Sequence, residues 1–141
     1  MPVLGDIRDY ISSLPEAKSK EIEALHRQMV QTYPEARLWF LDGMDESGKV
    51  VTNPNIGYGQ YTIRYADGSE REFYRVGISA NTAGISVYIM GIEDKTYLLK
   101  TFGEAIGDAK VTGYCIKFKS ISKIDESVLF TAIKFGMDRA E

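Results

Sequence analysis

The stretch that decides the fold spans residues 55–91 and reads NIGYGQYTIRYADGSEREFYRVGISANTAGISVYIMG. It holds three runs rich in β-branched and aromatic residues, joined by two short turns and without helical periodicity. Asp67-Gly68 between alternating runs is a strong hairpin signal, because these residues tolerate the positive φ that a tight two-residue turn requires. The stretch therefore predicts three consecutive antiparallel strands.

Alternation along these strands predicts one apolar face and one mixed face, since successive side chains of a strand point to opposite sides. Tyr74, Val76 and Ile78 are predicted to share the apolar face of the second strand. The side chains expected to project together from the mixed face are Tyr58, Gln60, Arg64, Arg75 and Tyr88. Two guanidinium groups between aromatic rings suit a carboxylate or phosphate ligand. The same face equally suits a contact with another chain or a second copy.

The flanking residues predict helices and further strands. Apolar residues at helical spacing predict a first helix with Asp6 at its start and Pro15 at its end, and Asp125 is predicted to cap the last helix. The other predicted helices contain the stripes at 22–33, 98–106 and 129–136, and the other predicted strands lie at 37–41, 49–52 and 114–119. The order ααβββ(β)αβα predicts one α+β domain over residues 1–141. Its antiparallel sheet has about four to six strands, with helices packed on one face.

Composition narrows the classes of function. A net charge of -3 over 141 residues argues against general nucleic-acid binding, which depends on lysine and arginine neutralising phosphates. No apolar run approaches the roughly 18 residues of a membrane span. Residues 1–6 show neither the basic nor the apolar region of an export signal. We therefore expect a cytoplasmic protein without nucleic-acid or membrane partners.

The residues available for catalysis are few. The chain has one cysteine, Cys115, and one histidine, His26, and neither stands in a motif that supplies a nucleophile with a base. We interpret Cys115 as a structural thiol and His26 as a partly buried, hydrogen-bonded side chain. Gly57-Tyr58-Gly59 leads into a strand and not a helix, so we interpret it as a bulge or a close backbone approach. We predict no enzyme activity.

Acidic residues cluster in the predicted turns. They are Asp42, Asp45, Glu46, Glu93 and Asp94. Their carboxylates have the chemistry to ligate a hard cation, but their spacing does not match a calcium-binding loop, and we interpret them as solvated turn residues. The pattern by itself predicts no metal site and no cofactor.

Several motifs resemble a bacterial family of unknown function that includes the YdhG-like proteins. They are Tyr10-Ile11-Ser12-Ser13-Leu14-Pro15, Gly57-Tyr58-Gly59, Tyr61-Thr62-Ile63-Arg64-Tyr65, Val76-Gly77-Ile78-Ser79, Val87-Tyr88-Ile89 and the run from Ile106 to Ile116. The resemblance spans nearly the whole chain. It differs before Cys115, where the family has Thr-Gly-Lys and this chain has Val111-Thr112-Gly113.

The resemblance implies an intracellular iron chaperone of the frataxin-like kind, because some YdhG-like proteins are described in that way. Iron as a ligand is thus implied by the resemblance alone. We therefore expect a binding protein, either for iron, as the resemblance implies, or for a small molecule on the mixed face. The alternative is a protein-interaction or homodimerisation domain that uses the mixed face and has no catalytic activity. Either way we expect a monomer or a homodimer.

Overall fold

The computed structural model describes residues 2–50, 52–80 and 83–138. Its helices are α1 (Pro2–Ser13), α2 (Glu16–Thr32), α3 (Tyr97–Phe102) and α4 (Glu126–Asp138). Its strands are β1 (Leu38–Leu41), β2 (Asn55–Tyr58), β3 (Tyr61–Arg64), β4 (Glu70–Phe73), β5 (Val76–Ala80), β6 (Ile85–Ile89), β7 (Lys110–Val111) and β8 (Cys115–Phe118). Within these ranges, no helix combines the length and the apolar character needed to cross a bilayer.

Six strands form one antiparallel sheet in the order β1-β2-β5-β6-β8-β7. Strands β3 and β4 form a separate hairpin, inserted in sequence between β2 and β5. The predicted α+β class and antiparallel sheet are therefore confirmed, and the sheet has the upper number of strands that the sequence predicted.

The helices pack against one face of the sheet, as predicted. From α1, the Tyr10 hydroxyl accepts a hydrogen bond from the Ala80 amide at 2.9 Å and donates to the Ala80 carbonyl at 3.2 Å. From α4, Gly136 lies so close to β6 that a Cβ there would stand 2.7 Å from Cγ2 of Ile89. The buried core fills this interface, and Ile78 and Val87 are fully enclosed in it.

Two local predictions were wrong. Helix α1 begins at Pro2, so Asp6 lies inside the helix and does not cap it; proline suits a first turn because its fixed φ is already helical. The predicted strand at 49–52 is reduced to one isolated bridge between Met44 and Val50, and residue 51 lies outside the described residues. Strand β1 pairs instead with β2.

The long strand runs of the central stretch are broken at one point. Tyr58 pairs with Val76, and the next pair in the strand register is Tyr61 with Phe73, so the register is interrupted over two residues of each chain segment. Gly59, at the break, has a φ of 80°. Glycine adopts this conformation without steric cost. The break adds no residue to either segment, so it is an interruption of the pairing and not the bulge predicted for Gly57-Tyr58-Gly59.

The break changes the face that Tyr74 occupies relative to Val76. Tyr74 and Val76 would share a face in an unbroken strand. Instead, Val76 faces Gly136 of α4, whereas the ring of Tyr74 covers Gly77 on the opposite side of the sheet. Tyr58 lies on the helix face and is only 1% exposed. The predictions that placed Tyr74 with the core and Tyr58 on the mixed face were therefore wrong.

Candidate binding face of the sheet

The sheet face opposite the helices, called the open face below, is organised by one cross-strand row. The register places Trp39, Gly57, Gly77, Tyr88 and Cys115 next to one another on five neighbouring strands. The two glycines leave a trough in the middle of this row, because they contribute no side chain. An aromatic side chain from outside the row fills the trough.

The Tyr74 ring occupies the trough. A Cβ on Gly57 would stand 2.3 Å from Cδ2 of Tyr74, and one on Gly77 would stand 2.6 Å from Cε1. Phe73 stacks on Tyr74 with ring centroids 4.2 Å apart and lies 6.0 Å from Trp39. Aromatic rings thus cover the row on the β1, β2 and β5 side, and Tyr74 is only 4% exposed.

The other half of the open face carries exposed rings and positive charge. Tyr114 is 50% exposed and stacks with Tyr88 at a centroid distance of 6.2 Å. Lys110 and Lys117 stand directly opposite each other on β7 and β8, and both are exposed. We call Tyr88, Tyr114, Lys110 and Lys117 the platform. The six strands of the sheet, within the bounds given above, contain no aspartate or glutamate.

The five residues predicted to share a binding face are not brought together. Tyr88 lies on the open face, whereas the Tyr58 hydroxyl is on the helix face, 2.6 Å from Nδ1 of His26. The hydrogen bond between His26 and Tyr58 confirms that this histidine is a partly buried, bonded side chain. A ligand on the open face would contact Tyr88 but not Tyr58.

The two arginines are engaged at separate places. Arg64 pairs with Glu70 at 2.9 Å on the exposed β3–β4 hairpin. Arg75 donates from Nε to the Gln60 carbonyl at 2.8 Å, and its side chain lines a cleft on the helix side with Met137. The expected arginine pair on one face was wrong, because the break in the strands separates the two positions.

The Gln60 side chain also points away from the platform. Its Oε1 accepts a hydrogen bond from Nη1 of Arg37 at 2.9 Å. The Arg37 guanidinium lies 3.9 Å from the centroid of the Trp39 ring and 3.6 Å from the Glu72 carboxylate. Gln60 therefore belongs to the polar rim at the β1 side of the sheet.

Ionisation on the platform is governed by burial. Burial raises the pKa of Tyr88, and the neighbouring Cys115 raises it further. Burial also raises the pKa of the Cys115 thiol, which outweighs the opposing effects of a Ser86 hydrogen bond and the Lys117 charge. A thiol that remains protonated is a poor nucleophile. The charge of the platform at neutral pH is therefore that of its two lysines.

The acidic turn residues are bonded within their own loops. Asp45 Oδ1 accepts from the Ser47 and Lys49 amides, and Asp94 Oδ1 accepts from the Thr96 amide at 2.9 Å. The Ser47 and Thr96 hydroxyls also donate to these carboxylates, and these bonds, followed by those from the amides, lower the pKa values of both carboxyls. Across the described ranges, no three His, Cys, Asp or Glu residues come close enough together to hold a metal ion.

Comparison with protein-family models, curated proteins and solved structures found no significant match. The class that the fold defines is therefore an α+β domain with a six-stranded antiparallel sheet.

Sequence reasoning missed Trp39, Tyr74, Tyr114 and the two platform lysines. One signal was available in the two predicted strands that contain Gly57 and Gly77. Paired glycines in neighbouring strands leave room for an aromatic ring, which is a known way to stabilise such a site. The exposed Tyr114 had no signal, because it precedes the observed strand and stacks on Tyr88 only after folding.

Proposed function

We propose that the protein is a binding module and that its platform docks an acidic segment of a partner protein. The observation that carries the proposal is the lysine pair beside the exposed ring stack. Lys110 and Lys117 are directly opposite in the register, and neither forms an ion pair with another described residue. Directly opposed like charges destabilise a sheet by roughly 0.2–1 kcal/mol.

An anionic partner would relieve this repulsion. The sheet itself does not, because its strands carry no acidic residue while the whole chain has a net charge of -3. The half-exposed Tyr114 ring offers apolar contact area beside the charge, and aromatic side chains are enriched where protein partners meet. A second copy fits less well than an acidic segment, since it would bring the same lysines face to face.

Iron and small molecules were the other ligands expected from the sequence. The resemblance that implied iron is not needed for this proposal. The small-ligand site expected on the mixed face required five side chains to converge: Tyr58, Gln60, Arg64, Arg75 and Tyr88. Because those side chains lie apart, the proposal uses Tyr88 alone among them and follows the protein-interaction alternative.

Selection from a random peptide library tests the proposal. We expect enrichment of peptides that place aspartate or glutamate next to an aromatic residue. Their binding should weaken with Lys117→Gln and with Tyr114→Ser, and it should weaken as the salt concentration rises, because exposed charges are screened. Lys100→Gln on α3 is the matched control, since it removes the same charge from the helix side of the molecule.

Lys117→Gln should affect binding and stability in opposite directions. Removing one of two opposed lysines should increase the free energy of unfolding by roughly 0.2–1 kcal/mol. The same substitution should weaken binding of the peptide. Peptides that bind Lys117→Gln and Tyr114→Ser as well as the unchanged protein would refute the proposal. So would a concentration-dependent dimer that buries the platform, or tighter binding of a single-stranded oligonucleotide than of any selected peptide.

A further inference from the structure

A second site lies between α1 and α2, far in sequence from the platform. The cleft has a volume of about 370 Å³, within the range of small-molecule sites. It is lined by apolar and polar side chains of both helices: Leu4, Ile7, Arg8, Ile11, Ser12, Glu23 and His26. We propose that this cleft binds an amphipathic carboxylate, with the acid group held by Arg8 and His26 and the hydrocarbon chain on Leu4, Ile7 and Ile11.

The buried hydroxyl of Tyr58 sets the hydrogen-bonding role of His26. Its oxygen lies 2.6 Å from Nδ1 of His26, and the described residues give this hydroxyl no other hydrogen-bond partner. If Nδ1 carried the proton, the phenolic hydrogen would be buried without an acceptor, which is costly. Tyr58 therefore donates to Nδ1. A neutral imidazole in this state carries its proton on Nε2.

The Nε2–H group is directed away from Tyr58, because the two ring nitrogens of an imidazole face different directions. With Nδ1 bonded to Tyr58, Nε2 has no hydrogen-bond partner among the described residues, and His26 lines the cleft. Burial lowers the pKa of His26, which keeps the ring neutral at neutral pH. A protonated Nε2 donates hydrogen bonds and cannot ligate a metal ion, so the site favours an anion over a cation.

The charges around the cleft also favour an anion. Arg8 of α1 forms no ion pair with any described residue. Glu23 of α2 is the acidic group in the lining, and its Oε1 is bound by Nη2 of Arg27 at 2.6 Å. Of the charged residues in the lining, Arg8 is therefore the one whose charge is not balanced by an ion pair.

The apolar lining determines the rest of the ligand. Leu4 is 48% exposed, whereas Ile7 and Ile11 beside it are buried. A hydrocarbon chain lying on Leu4 would remove that apolar surface from water, a gain that grows with the area covered. The carboxylate would then reach Arg8, one turn along the same helix from Leu4.

Nuclear magnetic resonance of the imidazole nitrogens tests the site directly. His26 is the one histidine in the chain, so its two ring signals need no assignment. We expect the free protein to show the Nε2–H tautomer and octanoate to shift the Nε2 signal. Octanamide, which has the same chain but no charge, should bind about fivefold more weakly, as should octanoate to Arg8→Gln.

Two further variants separate the site from general charge and from folding. Lys100→Gln removes one positive charge elsewhere and should leave octanoate binding unchanged. Tyr58→Phe keeps the buried ring and should abolish the preference for the Nε2–H tautomer. The proposal is overturned by an Nδ1–H tautomer in the free protein, by no shift at millimolar octanoate, or by equal binding of octanamide. It is also overturned if Lys100→Gln weakens binding as much as Arg8→Gln.

Discussion

Gly77→Ala should destabilise the protein by displacing the Tyr74 ring from the open face. The three atoms nearest to a Cβ at residue 77 all belong to Tyr74, at 2.6–2.7 Å. Atoms at that distance overlap, so the ring must move. Moving it gives up the stack on Phe73, worth roughly 0.5–1.5 kcal/mol, and part of its burial, worth roughly 1.5–3 kcal/mol.

The better strand propensity of alanine offsets roughly 0.5–1 kcal/mol of this loss, so a net cost of roughly 1–3 kcal/mol is expected. In a Tyr74→Ala background the obstructing ring is gone. There Gly77→Ala should be neutral or stabilising by up to about 1 kcal/mol. The two substitutions are therefore expected to couple by roughly 1–4 kcal/mol.

Urea denaturation of the four proteins in this double-mutant cycle measures the coupling. Gly5→Ala is the matched glycine control, because nothing lies within 4 Å of a Cβ there and the residue is inside α1. It should stabilise the protein by roughly 0.5–1 kcal/mol. An equal cost of Gly77→Ala with and without Tyr74 would refute the reasoning, since the glycine would then not be accommodating the ring.

Three further predictions concern residues on the helix face of the sheet and on the helices that cover it. Tyr10→Phe should cost about 1–3 kcal/mol, because the amide and carbonyl of Ala80 lose their partner; an unchanged denaturation midpoint would contradict this. Gly136→Ala should cost roughly 1–3 kcal/mol through contact with Cγ2 of Ile89; the cost should persist in Ile89→Val, which keeps that methyl group, and should shrink in Ile89→Ala, which removes it. Since burial lowers the pKa of His26 below 6.5, the unfolded state binds the extra proton. The free energy of unfolding should therefore be highest above about pH 6.5 and decrease as the pH falls below that value. The decrease should be shallower in His26→Gln. Identical pH dependence in the two proteins would show that His26 is not responsible.

Much of the fold was accessible from the sequence because it depends on short-range patterns. The buried stripe Ile22, Leu25 and Met29 of α2 follows from helical spacing, and the alternation of Ile85, Val87 and Ile89 in β6 matches their burial. Asp125 accepts from the Ser127 amide at 3.0 Å at the start of α4, as a capping residue does. In each of these cases, residues close in sequence determine the secondary structure and which side chains are buried.

The candidate site was less accessible, because it depends on one interruption. The interruption between the Tyr58–Val76 and Tyr61–Phe73 pairs puts Tyr74 on the open face, and alternation cannot indicate where such an interruption lies. Tyr58 was misplaced for a different reason: its face is set by its pairing with Val76, which alternation within one strand does not reveal. The platform lysines become neighbours only through the pairing of β7 with β8, which is two residues long and gave no strand signal.

The pair formed by Tyr10 and Ala80 has a consequence for synthesis of the chain. The two residues are 70 positions apart, so α1 leaves the ribosome well before the backbone groups that its tyrosine binds. At roughly 5–20 residues per second, the delay is about 4–14 s. During that time the apolar side of α1, including Ile7 and Ile11, lacks β5 to pack against. Docking of α1 must therefore wait for β5, and this helix is where a chaperone would act on the growing chain.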